Sequence, residues 1–263
     1  MDRRADDAAD GAPDAAKPPR TIQSVERAHA VLTALARASG PLTAAQVAER
    51  TALNRTVAHR LLKTLGGLNL VLERRGRFEL GPETLNLGYA YLDRLPVRRP
   101  ALFYAVNMSL QAVQDHTLVI SIAVPVAEEL TIIDQVWGPN SPVDAILDIG
   151  TRLPLATSAS GRAYLAYCPA EHAERLVGGE RLDEIRPILE QVRGTRLSFS
   201  RDEVRAGIAA IASPVLGRDG HSIACINVSG KLDDSDLTPE SEIARQVRRS
   251  AEWIERSVPS SAG

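Results

Sequence analysis

Residues Leu42 to Leu65 read LTAAQVAERTALNRTVAHRLLKTL, the pattern of two short helices joined by a sharp turn. In the second, Asn54 is placed to cap the helix by accepting a free backbone N–H of the first turn. At about 100° per residue, Val57, Ala58, Leu61, Leu62 and Leu65 gather on one arc. Arg55, Thr56, His59, Arg60, Lys63 and Thr64 take the other, an arc with three fixed positive charges and no carboxylate. Such a helix is built to be buried on one side and to face a polyanion on the other. The first helix carries its own start signal: Thr43 with Gln46 matches a capping box, and Leu42, Ala45, Val47 and Ala48 are its apolar side. Thr51 to Leu53 leave room only for a tight turn. An ordinary helical hairpin with a solvated basic face is the plainer alternative.

The flanks decide between them. Upstream, Ser24 to Ala38 reads as a helix capped by Ser24 and ended by Gly40-Pro41, burying Val25, Ala28, Val31, Leu32 and Leu35. Downstream, Gly66-Gly67 breaks the pattern, and VLERRGRFEL (Val71 to Leu80) alternates about Arg75-Gly76 like a β-hairpin. Its tip holds Arg74, Arg75 and Arg77. A basic hairpin after a helix-turn-helix is a wing, whose arginines reach phosphates or a narrow minor groove.

Charge divides the chain in the same way. Residues 20–95 hold eleven Lys/Arg against six Asp/Glu, whereas residues 96–263 hold seventeen against twenty-two. A basic reader joined to an acidic domain hides inside a net charge of −2. Hydrophobic content of 44% suffices for real cores, and no apolar run is long enough to span a membrane. Residues 1–20, rich in Ala, Asp and Pro, are expected to be an unstructured tail and not a secretory signal. Cys168 and Cys225 lack metal-type spacing, so a reducing cytoplasm with two free thiols is the expected setting.

Past Pro96 the composition changes. Ala101 to His116 is a predicted helix with Leu102, Val106, Leu110 and Val113 near one face. TLVISIAV and LTIIDQVW read as strands about Glu128-Glu129, and TRLSF as another. The 207–230 stretch is a strand pair joined by GRDG, and a last helix runs from Pro239 to Ser257. Hairpin-linked strands with helices beside them predict an α+β domain.

The sequence carries no visible catalytic machinery. Ser158 and Ser160 stand in TSASG, which lacks the leading glycine of a nucleophile elbow. The five histidines are scattered, and Asp233, Asp234 and Asp236 lack the rest of a calcium loop. No cofactor or metal site is expected.

Taken together, SVERAHAVLTALA, the Leu42–Leu65 unit, the wing running into FELGPETLNLGYAYL, LDIGTRLPLATSASGRAYLA and GIAAIASPVLGRDGHSIACINVSG resemble the isocitrate lyase regulator (IclR) family of bacterial transcription regulators. The resemblance implies a winged helix-turn-helix over 21–81, a linker helix over 82–95, a GAF-like effector domain over 96–258 with an antiparallel sheet flanked by helices, and a short tail at 259–263. It implies double-stranded operator DNA as partner, a homodimer or dimer of dimers, and a small-molecule effector. The DNA-contacting set is Thr43, Arg55, Thr56, His59, Arg60, Lys63 and the wing arginines Arg74, Arg75 and Arg77.

Carried over motif by motif, the family's effector positions fall on Ala159 and Ser160, Ser200, Ile208 and Ala210, and Asn227 and Ser229. Pro142 and Ala145 correspond more loosely to apolar wall positions. A helix start lined by small residues favours an anion, and Asn227 and Ser229, two apart on a strand, share a face. The expected ligand is therefore an organic acid. Small-acid sensors of the family often have Asp, Cys and Ser where this chain has Ser200, Ala210 and Asn227, so the pocket is tuned differently; Tyr164 or Trp137 would suit an aromatic acid. Two rival functions stay open: an enzyme with an accessory winged helix, and a constitutive DNA binder without an active effector site.

Overall fold

The helix signals around Thr43 and Asn54 act as their side chains dictate. In a computed structural model describing residues 21–112, 117–232 and 237–259, the Thr43 N–H donates to Gln46 Oε1 (2.9 Å) and the Gln46 N–H donates to Thr43 Oγ1 (3.3 Å). The Val57 N–H donates to Asn54 Oδ1 (2.8 Å). These caps start α2 (Ala44–Thr51) and α3 (Arg55–Gly67), which follow α1 (Gln23–Ala36) and the two-residue strand β1 (Leu42–Thr43). Ala52 turns the chain between α2 and α3 with a left-handed backbone, φ 53°.

The wing is β2 (Val71–Arg74) and β3 (Arg77–Leu80), with β1 added at the edge beside β3. Arg75 and Gly76 both have positive φ, 52° and 74°, the turn that matches strand twist in a two-residue hairpin. One core, including Val31, Leu35, Val47, Leu62, Leu65, Val71 and Phe78, holds the three helices and the wing together. Three local expectations fail here. Ile22, not Ser24, occupies the cap position of α1, with no side-chain bond, and Val25 is 62% exposed. At about 100° per residue Val25 lies about 120° round the helix from Val31, off the stripe that Val31 and Leu35 bury. Helix α3 also continues through Gly66 and Gly67, because the C-terminal turn tolerates glycine where the interior does not.

The chain divides into two compact units between Ala90 and Tyr91, and α4 (Glu83–Leu92) runs across that division with no buried residue. The second unit contains α5 (Arg98–Ala112), β4 (Val119–Val126), β5 (Glu129–Trp137), a 3-10 turn (Val143–Ala145), β6 (Arg152–Leu153), α6 (Ala159–Ala166), α7 (Ala170–Val177) and α8 (Gly179–Thr195). It closes with β7 (Ser198–Arg201), β8 (Ile208–Leu216), β9 (Ser222–Lys231) and α9 (Glu242–Ser257), the last capped by Ser241.

Its six strands form one antiparallel sheet in the order β6-β5-β4-β9-β8-β7, the α+β arrangement expected. Strand alternation sorts the two faces. Ile120, Ile122, Val124, Ile211, Ile226 and Val228 pack towards α5 and α9. Ala123, Ala212 and Cys225 turn towards α6 and α8. On that second face the central strands β4, β8 and β9 present small side chains, while β5 and β6 present Leu130, Ile132 and Leu153.

The expected stripe of α5 is corrected. Ala101, Ala105 and Met108 are its buried positions, while Val106 and Leu110 are exposed, Leu110 at 75%. Small alanines let α5 approach α9 closely, and that contact outweighs the size of the valine and leucine. Val113 and the expected run to His116, residues 1–20, the Asp233-Asp234-Asp236 cluster and residues 260–263 lie outside the described residues.

Candidate functional site

Two surfaces concentrate the chemistry. On α3, Ala58, Leu62 and Leu65 point into the core, and Arg55, Thr56, His59, Arg60 and Lys63 are all exposed. Arg55 and Arg60 make no ion pair with any described residue. The wing lies beside this face: Lys63 Nζ meets Glu73 Oε2 at 2.6 Å. Arg74 pairs with Glu79 (3.5 Å), and Arg77 Nη1 donates to the Pro41 carbonyl (3.1 Å), leaving Arg75 at the tip of the turn. Thr43 lies opposite Arg77 in the sheet, its hydroxyl held in the capping box. The structure thus brings helix, wing and Thr43 into one unit, with Lys63, Arg74 and Arg77 already partnered.

The second surface is a cavity of about 480 Å³, its open mouth included, on the small-residue face of the sheet. Eight of the nine carried-over positions line it: Ala145, Ala159, Ser160, Ser200, Ile208, Ala210, Asn227 and Ser229. Register explains the convergence. Ser200 lies opposite Ala210 and Ala210 opposite Ser229, one row across three strands, and Asn227 lies opposite Ser121 in the next.

Pro142 is not at the cavity; it precedes the 3-10 turn, and its carbonyl accepts from Ala145 N–H (2.9 Å). Tyr164 and Trp137 are not at the cavity either. Tyr164 packs in the core beneath α6, and burial pushes its phenol above the usual range, while Trp137 is exposed.

At one end of the cavity α6 begins. Ser158 Oγ accepts from Gly161 N–H (2.9 Å) and donates to the Pro154 carbonyl (2.7 Å), so this hydroxyl serves as a cap. Gly161 lets the helix start rest on the preceding backbone, because a Cβ there would stand 2.4 Å from Leu155 O. Ser160 Oγ and Asn227 Oδ1 are buried without a hydrogen-bond partner. Buried polar atoms left unpaired cost about 1–3 kcal/mol each, and a ligand's polar atoms would relieve that cost.

Sequence reasoning missed Ser121, Asp144, Leu147, Leu153, Ser158, Val204 and Arg205, which also line the cavity. Ser121 had a signal, as the one hydroxyl inside the apolar run of β4. Arg205 had none, because its position depends on a loop. Among the described residues no three His, Cys, Asp or Glu side chains group to hold a metal, and no helix is long and apolar enough to cross a membrane.

A winged helix-turn-helix joined to a sheet domain with a small polar pocket defines a class: a DNA-binding regulator with a sensory domain. Residues 24–74 match the IclR helix-turn-helix domain, and residues 89–256 match the C-terminal domain of bacterial IclR transcriptional regulators. The chain belongs to the IclR family, and it is a transcriptional regulator with a DNA-binding N-terminal domain and a C-terminal effector domain.

Among its relatives, the glycerol operon regulatory protein of Streptomyces coelicolor is 28% identical over 91% of this chain and 97% of its own. A candidate transcriptional regulator from Rhodococcus sp. RHA1 shares the fold at TM-score 0.75 and 27% identity, over 90% of this chain and 98% of its own. An IclR homologue from Microbacterium hydrocarbonoxydans, crystallised with 4-hydroxybenzoate, superposes at TM-score 0.74 and 20% identity, over 89% and 98%.

Proposed function

We propose that the protein binds operator DNA as a homodimer in the bacterial cytoplasm, and that a small organic acid held in the α6–sheet pocket modulates that binding. In this reading Arg55, Thr56, His59, Arg60 and Lys63 enter a major groove, while Thr43 and the wing residues Arg74, Arg75 and Arg77 hold the backbone. The reading rests above all on the unburied polar arc of α3, where Arg55 and Arg60 make no ion pair with any described residue.

One winged helix buries little surface on DNA, and two, about one helical turn apart, supply the area that specific binding needs. Exposed Leu85, Leu87 and Tyr91 on α4 offer an apolar surface for the partner's α4. The exposed residues of α5 would suit a dimer of dimers.

In the pocket, the α6 start and the Ser160 hydroxyl can donate to the carboxylate of a small acid, and Asn227 Oδ1 can accept from a ligand hydroxyl. Bound ligand shifts DNA affinity only through a different affinity for two arrangements of the paired readers. An enzymatic role is disfavoured, since the Ser158 hydroxyl is committed to its cap.

The test is fluorescence anisotropy with the duplex flanking the protein's own gene, against a scrambled duplex, across several salt concentrations. The reading expects about a thousandfold preference or more, with steep salt dependence and a response to small acids. Equal, weak binding to both duplexes would count against operator reading, and operator binding indifferent to every acid would favour the constitutive binder.

A further inference from the structure

The cavity has one cationic lining residue, and it belongs to a loop built to hold it there. Residues Asp202 to Gly207 join β7 to β8. The Asp202 N–H donates to Ile208 O (3.0 Å), and Asp202 Oδ1 accepts from Gly207 N–H (2.6 Å), which closes the loop on itself. Leu232 N–H donates to Gly207 O (2.8 Å), tying the loop to the end of the sheet. Glu203 is gripped by Arg162, a residue of α6 that is itself buried and also donates to the Thr157 carbonyl (2.6 Å). With its ends fixed, the loop leaves Val204 and Arg205 over the cavity.

Arg205 reaches across the mouth. Its Nη1 donates to the Asp144 carbonyl (2.8 Å) on the 3-10 turn of the opposite wall. That bond is to a neutral carbonyl, and Arg205 makes no ion pair with any described residue. A guanidinium without a carboxylate, on a fixed loop above the unpaired Ser160 Oγ, whose hydroxyl can donate, is an incomplete anion site. Arginine's planar fork matches a carboxylate in two parallel hydrogen bonds, which a neutral carbonyl cannot return.

We propose that Arg205 is the anion-reading residue of this pocket: on ligand entry its guanidinium exchanges the Asp144 carbonyl for the ligand's carboxylate, selecting acids over their neutral amides. The proposal rests on the effector-pocket reading above. The exchange also gives the ligand a mechanical consequence, because it frees the 3-10 turn that carries Ala145 and Asp144 from the β7–β8 loop. A carboxylate enters and a hydrogen bond between the two walls is lost.

The test uses the full-length protein and matched pairs of three-carbon molecules: propionate and propionamide, lactate and lactamide, pyruvate and pyruvamide. Calorimetric titration of wild type, Arg205→Gln, Arg205→Lys and Ser160→Val gives the affinities. The expected result is that wild type binds at least one acid and prefers it about tenfold or more over its amide. Arg205→Gln abolishes that preference, and Arg205→Lys restores part of it.

If Ser160→Val loses the acid while Arg205→Gln keeps the full acid-over-amide preference, the pocket reading stands and the role of Arg205 is overturned. If wild type binds no acid and no amide, the pocket reading and the proposal fall together. An amide bound as tightly as its acid overturns the proposal alone.

Discussion

Lys63 on the recognition helix and Glu73 on the wing meet at 2.6 Å, so an acidic residue of the wing neutralises one cation of the DNA-facing helix. Both are exposed, and such a pair contributes only about 0.2–1 kcal/mol to stability. Its larger effect falls on DNA, where Lys63 must give up Glu73 to reach a phosphate. Glu73→Gln is therefore expected to leave the melting temperature nearly unchanged, to tighten DNA binding, and to steepen its salt dependence by about one released counterion. Anisotropy titrations across salt check this; weaker binding by the variant would mean that the pair positions the wing.

Arg60 stands on the exposed arc of α3 without an ion pair among the described residues. Arg60→Ala is expected to weaken operator binding by about 1–3 kcal/mol, with unfolding unchanged within about 0.5 kcal/mol. Binding to scrambled DNA separates the modes of contact. A base contact loses mainly the specific duplex, and a phosphate contact loses both alike. Wild-type affinity for the operator would remove Arg60 from the interface.

The reader was legible because its signals are local. Thr43 with Gln46, Asn54 with Val57, and Arg75-Gly76 each act within four residues, and each forms as its chemistry requires. The sheet was legible through strand alternation, and the convergence of Ser200, Ala210 and Ser229 follows from register once the strand order exists. In the effector domain, what failed depended on tertiary contact. The α5 stripe was read from side-chain size, whereas the helix buries the alanines that let it approach α9. Pro142 stops short of the cavity because the 3-10 turn carries Asp144 and Ala145 to it instead. Arg205 was invisible because only a closed loop brings it over the pocket.

The two thiols differ in a way that alkylation can read. Cys225 is fully buried on the α6 face, its Sγ 3.3 Å from the Ser160 carbonyl, and burial pushes its pKa up to about 12. Cys168 is partly exposed, and burial raises its pKa as well. A raised thiol pKa keeps the group protonated at pH 8, and only the thiolate attacks. Native protein treated with iodoacetamide at pH 8 is expected to label slowly at Cys168 and not at Cys225, with both labelled in denaturant. Mass spectrometry of the two peptides checks it. Rapid native labelling of Cys225 would show that the α6–sheet contact opens readily.

Gly161 sets two opposing effects against each other. Alanine in place of a helical glycine gains up to about 1 kcal/mol of helix propensity. At Gly161, however, the added Cβ would lie 2.4 Å from Leu155 O, 2.5 Å from Leu155 Cα and 2.6 Å from Pro154 O, all backbone atoms with little freedom to retreat. Overpacking of that kind costs about 1–3 kcal/mol, so the steric effect should win. Gly194, exposed near the end of α8 with nothing within 4 Å of its Cβ position, supplies the control. Gly194→Ala is expected to match or slightly exceed wild-type stability in urea unfolding, and Gly161→Ala to lower it. The same displacement would move Ala159 and Ser160 at the cavity, so Gly161→Ala should also weaken acid binding while operator binding without acid persists. Equal stabilisation by both alanines would show that α6 can lift from Leu155 without strain, and the pocket would then be far more adaptable than its packing indicates.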